Sequence, residues 1–231
     1  MSSPELLCHS SPAELAIAVA LQIANQLAEG IAQDGAALAL VPGGSTPKMI
    51  FPLLARAAVD WPKVTLLPGD ERLAPADSGY SNFAAMKDGL GRTGAKLLQL
   101  AGNVDDCDGA AREADHSLRS LRWPPDVVWL GLGSDGHIAS IFPADCGAAA
   151  RTSDTARALC VHPDPLPAEA PFPRVTLTLA AILSANAIVI AATGEAKKTL
   201  LDRVIAGDAP DLPISELLRR APGATVHWSP Q

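Results

Sequence analysis

Hydrophobic and polar positions follow two different periods along this chain. Apolar residues recur at helical spacing after Ser11, which forms a capping box with Glu14 around a proline at the first helical position. Short apolar runs bounded by glycine, proline or charged residues are typical of buried strands, and they occur at 37–41, 64–67, 127–130 and 187–192. Weaker or alternating runs predict further strands at 157–161, 174–179 and 224–228.

Helical stretches separate most of these strands. The first is expected to end between Gly30 and Gly35, and others are predicted at 47–58, 83–90, 108–121, around Lys197 up to 205, and at 213–220. Strands that alternate with helices favour an α/β sandwich with a mostly parallel sheet. No linker-like segment interrupts the pattern, so we expect a single domain over residues 1–231.

Composition and charge narrow the range of partners. The formal net charge is -7 and the basic residues form no cluster, which argues against nucleic acid and anionic membranes as partners. The first residues lack the basic and apolar regions of a secretory signal, and no long apolar run is free of interruption. We therefore expect neither a secreted protein nor a membrane span.

The cysteines predict neither a zinc site nor a disulfide framework. Cys8, Cys107, Cys146 and Cys160 are scattered and form no C-x-x-C pair. A reducing cytoplasm is the compartment that fits this pattern best.

The most informative stretch is 127–143, where a predicted strand runs into a glycine-rich turn that ends at His137. Three interpretations compete for it. The letters match the dinucleotide fingerprint G-x-G-x-x-G, but Pro143 and Gly147 break the long helix which that fingerprint requires. His137 is alternatively a structural histidine on a turn. As a third possibility it is a general base, because ligands of open α/β sheets bind at the carboxyl ends of strands.

Other predicted strand ends also carry polar groups. The turn 43–47 precedes a helix, whose free N–H groups make an anion site, although an ordinary capped turn explains the same letters. Asp70, Glu71 and Arg72 follow the strand 64–67 and suit either an active-site loop or a solvated turn. Lys197 stands in the first turn of a helix, where a cation is unfavourable unless an anion binds. The alternative is a solvent-facing lysine, as expected for Lys198.

Four separated motifs together resemble the 6-phosphogluconolactonases over residues of about 40 to 205. They stand in order along the chain: G-G-S-T-P at 43–47, D-E-R-L-A-P at 70–75 with S-N at 81–82, G-L-G-S-D-G-H-I-A-S-I-F-P at 131–143, and R-V-T-L-T at 174–178 with G-E-A-K at 194–197. The resemblance implies a three-layer α/β sandwich with a Rossmann-like sheet, of the sugar-phosphate isomerase/deaminase type. It also implies hydrolysis of 6-phospho-D-glucono-1,5-lactone to 6-phospho-D-gluconate in the oxidative pentose phosphate pathway.

A sister family, the glucosamine-6-phosphate deaminase/isomerases, shares much of this pattern. Its members carry G-H-I-A-F-N-E-P, in which the glutamate supports ring opening. Phe142 occupies the glutamate position here and cannot carry a proton. Arg72 after the acidic pair also favours the lactonase, because the deaminases usually have an aromatic residue there. A deaminase/isomerase, or a sugar-phosphate-binding module without catalysis, is the alternative function.

The resemblance also implies roles for particular residues. His137 is expected to act as the general base on water, with Asp135 orienting its imidazole. The N–H groups of Gly43 and Gly44 are expected to stabilise the oxyanion. The remaining substrate-binding residues are assigned through the resemblance, chiefly to the phosphate: Ser45, Thr46, Arg174 and Lys197, with Arg72 and Asp70 nearby.

The implied chemistry needs no organic cofactor and no metal. The expected partner is a small phosphorylated sugar lactone, and the protein is expected to be a monomer or a small homo-oligomer. Whether Asp70 or Glu71 takes part in the chemistry is left open by the sequence.

Overall fold

The computed structural model describes residues 4–75, 78–102, 105–143, 147–168 and 170–231. The strands, in chain order, are β1 (Glu5–Cys8), β2 (Ala37–Val41), β3 (Val64–Pro68), β4 (Asp70–Arg72), β5 (Lys96–Leu97), β6 (Val127–Gly131), β7 (Ala158–Val161), β8 (Arg174–Leu177), β9 (Ala187–Thr193) and β10 (Thr225–Ser229). The helices are α1 (Pro12–Asp34), α2 (Ser45–Leu54), α3 (Asn82–Leu90), α4 (Cys107–Arg119), α5 (Ala148–Thr152), α6 (Leu179–Leu183), α7 (Glu195–Ala206) and α8 (Pro213–Arg220), with a 3-10 turn at Trp61–Lys63.

A parallel sheet of seven strands in the order β1-β10-β9-β6-β2-β3-β5 forms the centre of the fold. Because its central strands are buried on both faces, they read as continuous apolar runs rather than as alternating ones. Helices α1, α2 and α3 supply the apolar side chains that cover one face, and α4, α6, α7 and α8 supply those on the other. The expected three-layer α/β sandwich is confirmed.

Helix α1 shows how the sequence sets a boundary. Ser11 caps it by accepting a hydrogen bond from the Glu14 N–H at 3.2 Å, which is one half of the predicted capping box. The Glu14 carboxylate accepts the N–H and the hydroxyl of Ser10 instead of the Ser11 N–H. The helix continues through Gly30 and ends at Gly35, whose φ of 76° is left-handed. Its length and hydropathy would suffice to cross a bilayer, yet its apolar face packs on the sheet as in a core helix.

The sequence did not predict the second sheet. β4, β8 and β7 form a separate antiparallel sheet of three strands, which lies on the α4 side of the core. The sequence predicts 157–161 and 174–179 as strands of a mostly parallel fold without giving their partners, and it predicts a loop or a solvated turn for the charged triplet at 70–72. The periodicity of a segment predicts that it is extended but not which strand it pairs with. The prediction of a single domain over 1–231 stays a prediction.

The expectation that the cysteines form no disulfide is wrong. Cys107 at the start of α4 and Cys160 in β7 are joined, with Cα atoms 5.5 Å apart. Their separation of 53 residues gave no spacing signal, because the packing of α4 on β7 brings them together. Cys8 is a free, exposed thiol, and Cys146 lies outside the described residues. The cytoplasmic location stays a prediction.

A pair of histidines links the edge strand β1 to β10 and α1. His9 Nε2 lies 2.9 Å from His227 Nδ1, and His227 Nε2 lies 2.6 Å from Gln22 Oε1. Since the amide oxygen of Gln22 can only accept, His227 carries its proton on Nε2 and accepts one from His9. Burial, followed by the nearby His9, lowers the pKa of His227 to about 4.

This pKa predicts a loss of stability on the acid side. The unfolded chain takes up the proton near pH 6.5, whereas the folded chain resists it until about pH 4. The stabilising contribution is therefore complete above pH 6.5 and is lost as the pH falls between these values. We expect His227 to account for about 2 kcal/mol of the decrease in unfolding free energy between pH 7 and pH 5. Urea denaturation of the wild type and of His227→Gln measures it. An equal decrease in both proteins would contradict the assignment.

Candidate active site

The carboxyl ends of three neighbouring strands deliver the main candidate groups to one edge of the parallel sheet. β2 leads into the turn at 42–46, β6 into the turn that carries His137, and β9 into Gly194 and Lys197. Residues after all three strands line the same cleft, which has a volume of about 710 Å³. The order β9-β6-β2 places the histidine turn between the other two.

His137 is held by Asp135 within a tight turn. Asp135 Oδ1 lies 2.6 Å from His137 Nδ1 and also accepts the backbone N–H of His137 at 3.1 Å. The Gly133 N–H closes the turn by donating to the His137 carbonyl at 2.9 Å. A side chain at Gly133 would overlap this pair, because a Cβ there would lie 2.2 Å from His137 Nδ1. The motif therefore needs glycine at this position for close approach rather than for binding a dinucleotide.

This contact fixes the protonation pattern of His137. Burial favours the neutral carboxyl of Asp135, but the hydrogen bonds from His137 outweigh it and lower the pKa of Asp135 below its ordinary value. An ionised carboxylate only accepts, so the neutral imidazole carries its proton on Nδ1. The lone pair then lies on Nε2, which has no hydrogen-bond partner among the residues that the structure describes. A proton acceptor is thus directed away from Asp135 on a side chain that lines the cleft.

The start of α7 brings an uncompensated cation to the cleft. Lys197 lies in the first helical turn, and burial alone lowers its pKa. Within the described part of the chain its ammonium has no carboxylate partner. The neighbouring Lys198 instead forms an ion pair with Asp202 at 2.6 Å. A half-buried cation at the positive end of a helix dipole is unfavourable unless an anion binds there.

Two arginines of the small sheet face the same cleft. Arg72 in β4 and Arg174 in β8 are directly opposite in the antiparallel pairing, so both side chains lie on one face of the sheet. Arg174 is buried and donates to the Ala170 carbonyl, and its guanidinium lies 5.4 Å from the centre of the Phe142 ring. Arg72 donates to the Tyr80 carbonyl, while its buried Nε has no partner among the described residues. Like charges in this register destabilise a sheet unless an anion lies between them.

Asp70 belongs to a buried network at the wall of the cleft. Its carboxylate accepts the Ser140 hydroxyl at 2.6 Å and the Asn82 amide at 3.1 Å. Ser140 reaches it from a turn in which Ala139 has a φ of 48°, a value that is uncommon for residues other than glycine. The Ser140 N–H donates to Thr176 and ties the same turn to β8. Sequence reasoning missed this role of Ser140, although the residue lies inside the motif.

Glu71 points away from the cleft. Its carboxylate accepts the N–H groups of Asn82 and Phe83 at 2.7 and 2.8 Å, and it also accepts the Ser81 hydroxyl. It therefore caps the start of α3, where four N–H groups lack helical partners. Burial raises the pKa of Glu71 in spite of these bonds. Glu71 does not line the cleft, so we exclude it as the base and keep Asp70 as the alternative to His137.

The structure places every predicted site residue along this one cleft: Gly43, Gly44, Ser45, Thr46, Asp70, Arg72, Asp135, His137, Arg174 and Lys197. Their individual roles stay predictions. The sequence analysis used Phe142 only to distinguish the two sister families. In the structure its ring packs on the turn that carries His137, with the two ring centres 4.7 Å apart. Asn82, which the sequence analysis named only as part of the motif at 81–82, lines the cleft as well.

A possible metal-ligand cluster occurs elsewhere in the described part of the chain. It contains Cys107, Cys160 and His162, whose donor atoms lie within 4.8 Å of one another. The two sulfurs are joined in the disulfide and offer no thiolate while it is intact. None of these three residues lines the cleft.

A cleft of this kind, at the carboxyl edge of a parallel α/β sheet with an oriented histidine and an unpaired lysine, is typical of enzymes that act on small anionic molecules. The sequence profile described as glucosamine-6-phosphate isomerases/6-phosphogluconolactonase matches residues 10–228. The chain belongs to this family.

Individual relatives agree with that assignment. A 6-phosphogluconolactonase from Mesorhizobium japonicum is 39% identical over 94% of this chain and 92% of its own length, and one from Rhizobium meliloti is 37% identical over 95% and 96%. The crystal structure of a 6-phosphogluconolactonase from Shewanella baltica is 32% identical, with a TM-score of 0.88 over 98% of this chain and 97% of that one. A monomeric glucosamine-6-phosphate deaminase, 22% identical with a TM-score of 0.80 over 97% of each chain, shares the fold.

The capping role of Glu71 can be separated from catalysis. Glu71→Gln should lower the unfolding free energy by about 1–3 kcal/mol, because an amide nitrogen would replace an acceptor of buried N–H groups. We expect kcat to stay within a few-fold of the wild type. Urea denaturation and steady-state kinetics test both statements. A loss of about 10²-fold or more in kcat at unchanged stability would instead place Glu71 in the chemistry.

Proposed function

We propose that the chain hydrolyses 6-phospho-D-glucono-1,5-lactone to 6-phospho-D-gluconate. The observation that carries the proposal is that an oriented histidine and an unpaired, half-buried lysine line one cleft. The histidine suits attack of water on an ester carbonyl, and the lysine suits the phosphate of the same substrate. The names of the curated relatives at 33–39% identity agree with this activity.

The reaction begins with removal of a proton from water. Neutral His137 accepts this proton on Nε2 as the water oxygen attacks C1 of the lactone. The carbonyl π electrons move to oxygen and form a tetrahedral oxyanion. When the oxyanion collapses, the bond between C1 and the ring oxygen breaks, and the imidazolium returns its proton to that oxygen. Asp135 keeps Nδ1 protonated throughout, so Nε2 is the atom that exchanges protons.

Backbone and cationic groups stabilise the charges of substrate and intermediate. The N–H groups of Gly43 and Gly44 serve the oxyanion, since α2 begins there without a side-chain cap. The phosphate binds to the start of α2 and to the cations around it: Ser45, Thr46, Arg174 and Lys197, with Arg72 beside them. An anion at this position offsets the repulsion between the two paired arginines and the desolvation of Lys197. The carboxylate of Asp70 accepts hydrogen bonds from hydroxyl groups of the sugar.

The deaminase activity of the sister family fits this cleft less well. Phe142 stands where those enzymes carry a glutamate, and its ring packs on both His137 and Arg174. A phenyl ring cannot assist opening of an amino sugar ring. Release of ammonia from glucosamine 6-phosphate would favour the deaminase. A shift of melting temperature with 6-phosphogluconate without hydrolysis would indicate a binding module.

His137→Asn should lower kcat by about 10²–10⁴-fold and leave the fold and product binding intact. Asparagine keeps a polar group of similar size but accepts no proton at neutral pH. Acid release from fresh lactone in a pH-stat, corrected for spontaneous hydrolysis, measures the loss. The decline of kcat/KM toward acid pH that a general base causes should disappear in the variant. A near-normal kcat with the same decline would identify another base, with Asp70 as the first candidate.

Lys197→Ala should raise KM for the phosphorylated lactone by about 10- to 150-fold, which corresponds to a charge-assisted contact of about 1.5–3 kcal/mol. KM for unphosphorylated gluconolactone should change little. Lys198→Ala is the matched control, since that neighbouring lysine already has Asp202 as its partner. Equal effects of Lys197→Ala on both substrates would show that Lys197 does not bind the phosphate.

A further inference from the structure

The back of the histidine turn rests on the segment that precedes α8. Gly136, directly before His137, has a φ of 87°, and its carbonyl accepts the Ile214 N–H at 3.2 Å. A Cβ at Gly136 would lie 2.9 Å from Leu212 Cδ1, so the turn and this segment are in direct contact. A displacement of the start of α8 would therefore displace Gly136, which directly precedes His137.

Arg151 holds the start of α8 in place. Helix α8 has no side-chain cap, since Leu212 stands at its N-cap position. Arg151 Nη1 donates to the Asp211 carbonyl at 2.7 Å, and Arg151 Nε donates to the Glu216 carboxylate. One guanidinium thus binds both Asp211, which precedes Leu212, and Glu216, which follows Ile214. Burial favours the neutral form of Glu216, but Arg151 and then Arg220 outweigh it and lower the pKa of Glu216.

Arg151 connects the start of α8 to the helix that begins beside Phe142. A Cβ at Gly147, directly before α5, would lie 2.2 Å from the Phe142 carbonyl oxygen, so the start of α5 is in direct contact with the far end of the histidine turn. Arg151 on α5 donates to the start of α8, and the Ile214 N–H of α8 donates to Gly136. The histidine turn therefore contacts, at its two ends, two elements that Arg151 holds together.

We infer that Arg151 is a positioning residue for the Asp135–His137 pair. It does not line the cleft, and it acts through Glu216, the Asp211 carbonyl and Gly136. The inference rests on the proposed role of His137 as the base. A misplacement of about 1 Å in a reacting group costs about 100-fold in rate, so a partial loosening should be measurable.

Arg122 provides a matched control at the opposite end of the sheet. It pairs with Asp126, which directly precedes β6, and with Asp34 at the end of α1. Its side chain is 30% exposed, against 25% for Arg151, so both arginines form partly buried ion pairs. Since the histidine turn follows β6 rather than precedes it, loss of Arg122 affects stability without a direct path to His137.

The experiment compares Arg151→Met, Arg151→Lys and Arg122→Met. Arg151→Met should lower kcat about 10-fold or more and change KM less than about 3-fold, because the phosphate site is untouched. Arg151→Lys should recover part of the loss, since one cation can still reach Glu216. Arg122→Met should lower the melting temperature at least as much as Arg151→Met and keep a kcat close to that of the wild type.

A spectroscopic readout separates positioning from general stability. The proton between His137 Nδ1 and Asp135 should give a downfield ¹H resonance, which His137→Asn removes and thereby assigns. It should weaken or broaden in Arg151→Met and persist in Arg122→Met. If Arg151→Met does not fold, Glu216→Gln tests the same link from the other partner.

The inference would be overturned if the Arg151 and Glu216 variants had the same kcat and the same resonance as Arg122→Met. A wild-type protein that does not hydrolyse the lactone would instead overturn the proposed function. The resonance would then still decide whether Arg151 positions the pair.

Discussion

The parallel register of β9, β6 and β2 is the constraint on which the site depends. Neighbouring parallel strands lie about 4.8 Å apart, so the ends of the first and third are about 10 Å apart. This distance is comparable with the length of a sugar phosphate. Because the three strands end at one edge of the sheet, the turns that follow them meet at a cleft of that size. β9 is followed by the cation of Lys197, β6 by the imidazole of His137, and β2 by the N–H groups at the start of α2, which has no side-chain cap among the described residues.

Three cations of an acidic chain lie at this edge of the sheet. The protein carries a formal net charge of -7, yet Lys197, Arg72 and Arg174 all line the cleft, alongside three aspartates of the described residues. Arg72 and Arg174 are even paired across two strands. Like charges directly opposite each other cost stability, and under the proposed function an anionic substrate would relieve that cost on binding. The net charge of the chain alone would not predict such a substrate, whereas the placement of Lys197 and the two arginines supports the proposal.

Much of this architecture can be predicted from the residues. Long periodic or wholly apolar segments such as α1, β2 and β6 can be recognised from the sequence, because their burial determines the pattern of their apolar residues. Short elements with little burial, such as β1, β5 and α5, gave no such signal. The small antiparallel sheet and the Cys107–Cys160 disulfide arise from partners that are distant in sequence, and a pattern within one segment carries no information on them.

The carboxylates of the site show why a residue type alone does not determine a role. Asp70, Glu71 and Asp135 all follow predicted strands. The sequence left open whether Asp70 or Glu71 takes part in the chemistry, and it predicted that Asp135 orients His137. In the fold Glu71 caps α3, Asp70 accepts from Ser140 and Asn82, and Asp135 contacts the histidine. Each role is set by the donors that packing brings within about 3 Å, and those donors come from other elements for Glu71 and Asp70. For Asp135 the donor is two residues away in the same turn, which is why this pairing could be anticipated from the motif.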